Sequence, residues 1–316
     1  MKEKSGYQVV LEDCMGVQPH ESVLILTDDG KQSIGQALYE TAKELAGEAV
    51  LMVMEQRRVS GEEPPPAVAE AMKGFDVILC PTTTSLSHTN AKINAVKAGA
   101  RMGSMPGITE DMFLQGAITA DYQQVETRTR EMTDLLTRAT TAVIIKEGYR
   151  LEMSLENRSG VASTGIYRQP GEAGNLPSGE AYIAPVEGTA RGEMIIDGSM
   201  VGIGILSSPL TVRLEAGRLV EVKGDQADRL QALFEEEANG VLGELGIGTN
   251  PAARLTGIIL EDEKIAGTVH IAFGTNTSFG GSNKASCHLD GVILNPTLYL
   301  DDELVLDQGK LVVPVE

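Results

Sequence analysis

Over its first 140 positions the chain alternates short unbroken apolar runs with stretches of helical spacing, and that alternation predicts strands and helices in turn. "SVLILTDD" (Ser22 to Asp29) is an apolar run ending in turn residues and reads as a buried strand. "SIGQALYETAKELAG" (Ser33 to Gly47) has a capping Ser, apolar residues at helical spacing and a closing Gly. "EAVLMVM" (Glu48 to Met54) is the next strand. "PPPAVAEAMKG" opens a helix with prolines and closes it at Gly74. "FDVILCPTTT" (Phe75 to Thr84), "HTNAKINAVKAGA" (His88 to Ala100) and "RMGSMPG" continue as strand, helix and strand. This rhythm predicts a mainly parallel sheet covered on both faces.

A helix over Asp121 to Thr140 leads out of that region, and the texture then changes. From "TAVIIKEG" onward the chain is rich in Gly and in strands of period two, such as "RLEMSLE", "GEMIIDGSM", "LTVRLEAGRLVEVKG" and "GKLVVPVE". Alternation broken by Asp-Gly and Ala-Gly turns predicts antiparallel pairs. One helix, Gln226 to Ala238, interrupts them. The fold class is therefore α/β. Residues 1–140 form an N-terminal α/β domain with a mainly parallel sheet. Residues 141–316 form a C-terminal α+β domain rich in antiparallel strands, and this half carries the candidate metal site.

Composition narrows the partners. Trp is absent and aromatic residues make up 4% of the 316 positions, so the core is aliphatic. A formal net charge of −19 repels phosphate backbones and anionic lipid surfaces, which argues against nucleic acid and membrane. No apolar run reaches the ~18 residues of a membrane helix. Cys14, Cys80 and Cys287 are widely spaced, with no disulfide framework and no CxxC, and a reduced cytoplasm is the simplest compartment.

The second half concentrates chemistry. Of four histidines in the chain, two fall between His270 and Gly291, in "HIAFGTNTSFGGSNKASCHLDG". His288 and Asp290 are two apart, so on a strand both point to one face. With His270 they make a two-histidine, one-carboxylate set of the kind that leaves coordination positions open. Glu180 in "NLPSGEAYIAP" and Glu244 in "GELGIGTNP" could extend the set to two divalent ions, because carboxylates bridge a metal pair. Each feature alone has a plainer reading: a surface His–Asp pair, a solvated Glu, a core imidazole bonded to a carbonyl. Asp28 and Asp29 end a strand, His20 reads as surface, and His88 stands before a helix at a strand's C-terminal end, where open α/β sheets bind ligands.

Taken together, "GEAYIAP", "ELGIGTNP", "DEKIAGTVHIAFGTN", "GGSNKASCHLDGVI" and "DGVILNPTLYLDDELVLDQGKL" resemble the aminopeptidase T/aminopeptidase S metallopeptidase family, and "SLSHTNAKINAVKAGARMGSMPGITEDMF" agrees in the first half. That resemblance implies metal ligands Glu180, Glu244, His270, His288 and Asp290. The family's tyrosine ligand has no counterpart, since the loop reads "GTNTSFGG" with Thr277, Ser278 and Phe279. The activity implied is an aminopeptidase-like hydrolase. One or two Zn, Co or Mn ions would activate water, with Glu180 and Glu244 as the catalytic carboxylates and a peptide as substrate. A shorter branch of the same superfamily, nearer this length, includes 2,5-dihydroxypyridine dioxygenase. It implies the alternative: one Fe(II) on His270, His288 and Asp290, opening a small hydroxylated ring. A third possibility is a metal-binding or assembly protein that kept the fold and lost the chemistry. The resemblance also implies a homodimer. Both glutamates needed for a second metal are present, which tips the expectation to the peptidase.

Overall fold

The computed structural model describes residues 4–231 and 236–312. Two compact units result, the first from Met1–Gln123 with Gly165–Ser178, the second from Gln124–Thr164 with Gly179–Glu316.

In the first unit, strands β1 (Ser22–Asp28), β2 (Glu48–Met54), β3 (Val77–Thr82) and β4 (Arg101–Pro106) build a five-stranded sheet in the order β2-β1-β3-β4, closed at one edge by Ala173–Asn175. Every pairing is parallel. Helices α1 (Gln32–Leu45), α2 (Pro66–Met72) and α3 (Asn90–Lys97) link the strands. Crossover helices cover both faces of a parallel sheet, and that is why β1 and β3 are buried almost end to end, with continuous apolar centres rather than alternation. α1 buries Ile34, Leu38 and Ala42, one residue per turn, and a Cβ at its Gly35 would lie 2.7 Å from Thr27 Cγ2, so the helix packs hard against β1. The parallel α/β expectation is met in this unit.

The second unit begins within α4 (Tyr122–Arg138) and contains two antiparallel sheets. One has eight strands. In it Thr141–Lys146 joins Tyr149–Ser154 through Glu147 and Gly148, and Leu210–Glu215 joins Arg218–Lys223 through Ala216 and Gly217. All four linking residues have positive φ, the requirement of a two-residue turn whose twist matches the strands. The other sheet has seven strands: β5 (Val161–Ser163), β6 (Glu180–Ile183), β7 (Ser199–Met200), β8 (Gly204–Ile205), β9 (Leu242–Gly248), β10 (Val269–Gly274) and β11 (His288–Ile293), in the order β8-β7-β11-β10-β9-β6-β5. Among the described residues the buried core here is aliphatic and Met apart from Phe273, with Ile183, Leu245, Ile247, Ile271 and Ile293 from the seven-stranded sheet and Ile144, Leu151, Met194 and Val212 from the eight-stranded one.

The predicted helix over Gln226 to Ala238 is shorter in its described part. Ala227–Gln231 is helical and Glu237–Gly240 is a 3-10 turn, while 232–235, with Phe234, lie outside the described residues. Of the closing strand, Lys310–Leu311 pairs and 313–316 lie outside the described residues. Among the described residues, no helix is long and apolar enough to cross a membrane.

Candidate metal centre

Four adjacent strands set the site. Glu244 on β9 lies opposite Ala272 on β10, which lies opposite Asp290 on β11. One rung along, Tyr182, Gly246, His270 and Val292 line up across β6, β9, β10 and β11. Glu180 lies opposite Gly248, and His288 opposite Gly274. Residues opposite one another, and residues two apart on a strand, share a face of the sheet. Glu180, Tyr182, Glu244, His270, His288 and Asp290 therefore all project from one side, among positions kept small by Gly246, Gly248, Ala272 and Gly274.

Glu244 reaches that side through a β-bulge. Leu242 pairs with Phe273, yet Glu244 pairs with Ala272, so the register steps by one residue at Gly243. An even ladder would set Glu244 opposite Ile271, whose side chain belongs to the core. Bulges next to active sites re-aim side chains in this way.

The donors converge. His270 Nε2 lies 3.2 Å from Glu244 Oε1 and 3.4 Å from Glu180 Oε2. His288 Nε2 lies 3.3 Å from Glu244 Oε2 and 3.4 Å from Asp290 Oδ1. Ligand atoms of Glu244, His270 and Asp290 fall within 4.8 Å of one another. Atoms each about 2.1 Å from one ion stand about 3.0–3.4 Å apart, so these separations suit the edges of a coordination shell. A divalent cation fits the residues on two further counts. A Cβ at Gly246 would lie 2.0 Å from His270 Nε2, so the ring rests on a position only glycine can fill. His288 Nδ1–H donates to the Thr275 carbonyl at 2.9 Å, so Nε2 is the nitrogen turned to the carboxylates and the one that would give up its proton to a metal.

Two residues that sequence reasoning did not single out complete the cluster. Glu263 and Lys264 follow the helical turn Ile259–Asp262. Lys264 is fully buried, and its ammonium bonds Glu180 Oε1 at 2.7 Å and Glu263 Oε1. The chain reaches this point because a Cβ at Gly248 would lie 2.1 Å from the Ile265 carbonyl oxygen, so the segment crosses directly over that glycine. The loop between β10 and β11 is fastened from below: Glu187 accepts from Ser282 N at 2.6 Å and from Asn276 Nδ2 at 2.9 Å, and Asn283 Nδ2 donates to the carbonyls of Ala238 and Gly274. That loop carries Phe279, which makes edge contacts with Tyr182 and with His288, at centroid distances of 5.3 and 6.1 Å. His288 keeps 30% of its side chain exposed and marks the open side of the cluster, whereas His270 has none exposed.

Electrostatics follow the crowding of carboxylates. Burial alone would raise Glu244, but hydrogen bonds from His270 and His288 hold it down at about 2. Burial would lower His270, yet Glu244 and Glu180 push it up to about 9, and Asp290 and Glu244 raise His288 in the same way. Burial pushes Glu263 up to about 8, and Glu180 and Glu263 hold Lys264 firmly charged. Without a metal, protons on the imidazoles supply the positive charge that the carboxylates demand. A metal taken up here would therefore expel protons and bind more strongly as pH rises toward about 9. Calorimetric titration with Zn(II) in buffers of different ionisation enthalpy measures the protons released, and a proton-neutral uptake at pH 7 would contradict this assignment. For the metal-free protein the sign is fixed too. His270, raised from 6.5 to about 9, stabilises fully below 6.5 and loses that contribution as pH climbs through 9.

The other candidates lie elsewhere. Asp28 ends β1 and accepts from Gly30 N, Thr83 N and Thr83 Oγ1, a turn-fastening role. His20 is exposed, and His88, also exposed, stands two residues ahead of α3 in the first unit.

Comparison with known proteins assigns the chain. A model of the NicX, 2,5-dihydroxypyridine 5,6-dioxygenase, family matches residues 4–313, and the chain belongs to that family. The 2,5-dihydroxypyridine 5,6-dioxygenase of Pseudomonas putida KT2440 is 26% identical over 273 residues, covering 79% of this chain and 75% of that protein. Among solved structures, 2,5-dihydroxypyridine dioxygenase from Pseudomonas putida KT2440 superposes with a TM-score of 0.79 at 20% identity, covering 98% of this chain and 97% of the other. Wild-type AmpT from Thermus thermophilus superposes with a TM-score of 0.70 at 18% identity, covering 98% and 99%. These two likenesses show a shared fold. The family match corrects the expectation of a hydrolase that removes N-terminal residues from peptides: proteolysis, with the labels aminopeptidase and metalloprotease, gives way to oxygen chemistry. The motifs that suggested the peptidase lie in a fold common to both branches, so they report architecture rather than reaction.

Proposed function

We propose that this protein is a metal-dependent dioxygenase that opens a small hydroxylated nitrogen-containing ring, of the 2,5-dihydroxypyridine class, using O2. The family match over residues 4–313 carries the reading. The geometry supports it: His270, His288 and Asp290 stand on one sheet face around Glu244, and that is the donor type of mononuclear non-haem Fe(II) oxygenases. Fe(II) held there would supply the one-electron chemistry that lets O2 react with a closed-shell ring.

The chain's own residues would do the rest. His270 lies fully buried over Gly246. His288 is fixed by its bond to Thr275, and its exposed edge opens the site to substrate. Phe279 and Tyr182 flank that edge with aromatic surface, against which a flat ring packs by stacking or edge contact. Phe279 excludes water there and, having no hydroxyl, adds no ligand.

The test is anaerobic loading with Fe(II), then oxygen-electrode and absorbance assays with 2,5-dihydroxypyridine beside a panel of hydroxylated pyridines and benzenes. Oxygen uptake matched to loss of ring absorbance is expected. Iron-loaded protein that consumes no oxygen with any ring of the panel would end this proposal.

A further inference from the structure

We infer that the Lys264 ammonium occupies the place of a second metal ion, so that this residue sets the metal count at one. The inference rests on the metal-centre reading above and goes beyond it. Ligand atoms of Glu180, Glu263 and His270 fall within 4.8 Å of one another, a second set of metal-donor type beside the Glu244, His270 and Asp290 set. His270 belongs to both, as does a residue at the junction of two ion sites. Paired divalent ions lie about 3.5–4 Å apart and are bridged by carboxylates or water rather than by one imidazole nitrogen, so His270 marks only that the two donor sets adjoin.

The second set already holds a cation. Lys264 Nζ lies between Glu180 and Glu263 with no exposed side-chain surface, and Glu263 is only 9% exposed. Two buried carboxylates this close need a positive partner, and the chain provides one covalently. An ammonium has donors and no lone pair, so it neutralises the acids without adding a ligand. A divalent ion entering the same space would meet that fixed charge and find an oxygen of each carboxylate already engaged. Glu180 Oε2 has no hydrogen bond of its own and faces His270 Nε2 at 3.4 Å. The acid thus presents one uncommitted oxygen to the imidazole while its other oxygen holds the lysine.

Removing the ammonium should turn one site into two. Metal-free wild type and Lys264→Met are each equilibrated with excess Mn(II), freed of unbound ion and analysed for metal by mass spectrometry and for spin coupling by electron paramagnetic resonance. The wild type is expected to bind about one Mn(II) with an uncoupled signal, and the variant about two with an exchange-coupled signal. Should Lys264→Met fold poorly, the expected result is recovery of the fold when Mn(II) is present during refolding. The neutral Lys264→Met/Glu180→Gln/Glu263→Gln variant serves as reference, expected to fold without metal at that locus. A folded Lys264→Met that stays at one ion overturns the inference. So does a Lys264→Met that fails with or without Mn(II) while the neutral variant folds. Two ions in the wild type overturn it and leave the metal centre standing, whereas no bound ion in the wild type refutes the metal centre itself.

Discussion

His288→Ala is expected to lose most of its bound metal and to lower ring-opening turnover by roughly a hundredfold or more, because even residues that merely support a metal ligand cost 10–100-fold when removed. The fold should survive. His288 begins β11, keeps 30% of its side chain in solvent, and meets the protein through Thr275 on one nitrogen and through Glu244 and Asp290 on the other. Metal analysis, oxygen uptake and far-ultraviolet circular dichroism on one preparation decide the matter. A variant with unchanged dichroism but no metal and no turnover fits the assignment. Retained metal together with retained turnover would take His288 out of the site.

Gly246→Val should be nearly as damaging, although residue 246 brings no side chain to the site. A Cβ there would lie 2.0 Å from His270 Nε2 and 2.2 Å from Cε1, far inside contact distance. His270 is walled in by the sheet, so the imidazole must leave its position or the strands must part. Metal affinity is expected to drop by roughly tenfold or more, by the scale of losses seen when a ligand's support is disturbed. Gly61→Asn, at a positive-φ glycine with nothing within 4 Å, is the reference for a glycine replaced at an open turn. Competition against a chromophoric chelator measures both. Wild-type affinity in Gly246→Val would mean that the ring does not work where it rests.

The parallel sheet was legible because its strands are buried on both faces and so appear as unbroken apolar runs such as "SVLILTD" and "VILCPT". The antiparallel unit was legible from its alternation and from the Ala216-Gly217 turn, at positive φ; Glu147-Gly148 turns in the same way but is neither Asp-Gly nor Ala-Gly, whereas Asp197-Gly198 links strands of two different sheets. Glu180, Glu244, His270, His288 and Asp290 were legible as candidates, and the structure brings them to one sheet face. Their reaction was not, because peptidase-like and dioxygenase chains share the scaffold that holds them. Lys264 and Glu263 were invisible for a physical reason. Adjacent opposite charges after a short helical turn normally face water, and only the close crossing over Gly248 carries them inward. The helix over Gln226 to Ala238 was read too long at its far end: helical spacing continues there, but the backbone of Glu237–Gly240 tightens into a 3-10 turn.

The extra residue at Gly243 makes the length of β9 as consequential as its composition. Leu242 packs into hydrocarbon and Glu244, two positions on, serves the ionic face, an arrangement that uninterrupted pleating forbids. Deleting one residue between them would force a choice between sealing the interior and keeping the carboxylate beside the histidines. Insertions and deletions at this point should therefore be far less tolerable than substitutions, and a homologue lacking the extra residue would have to acquire its acid from a different strand.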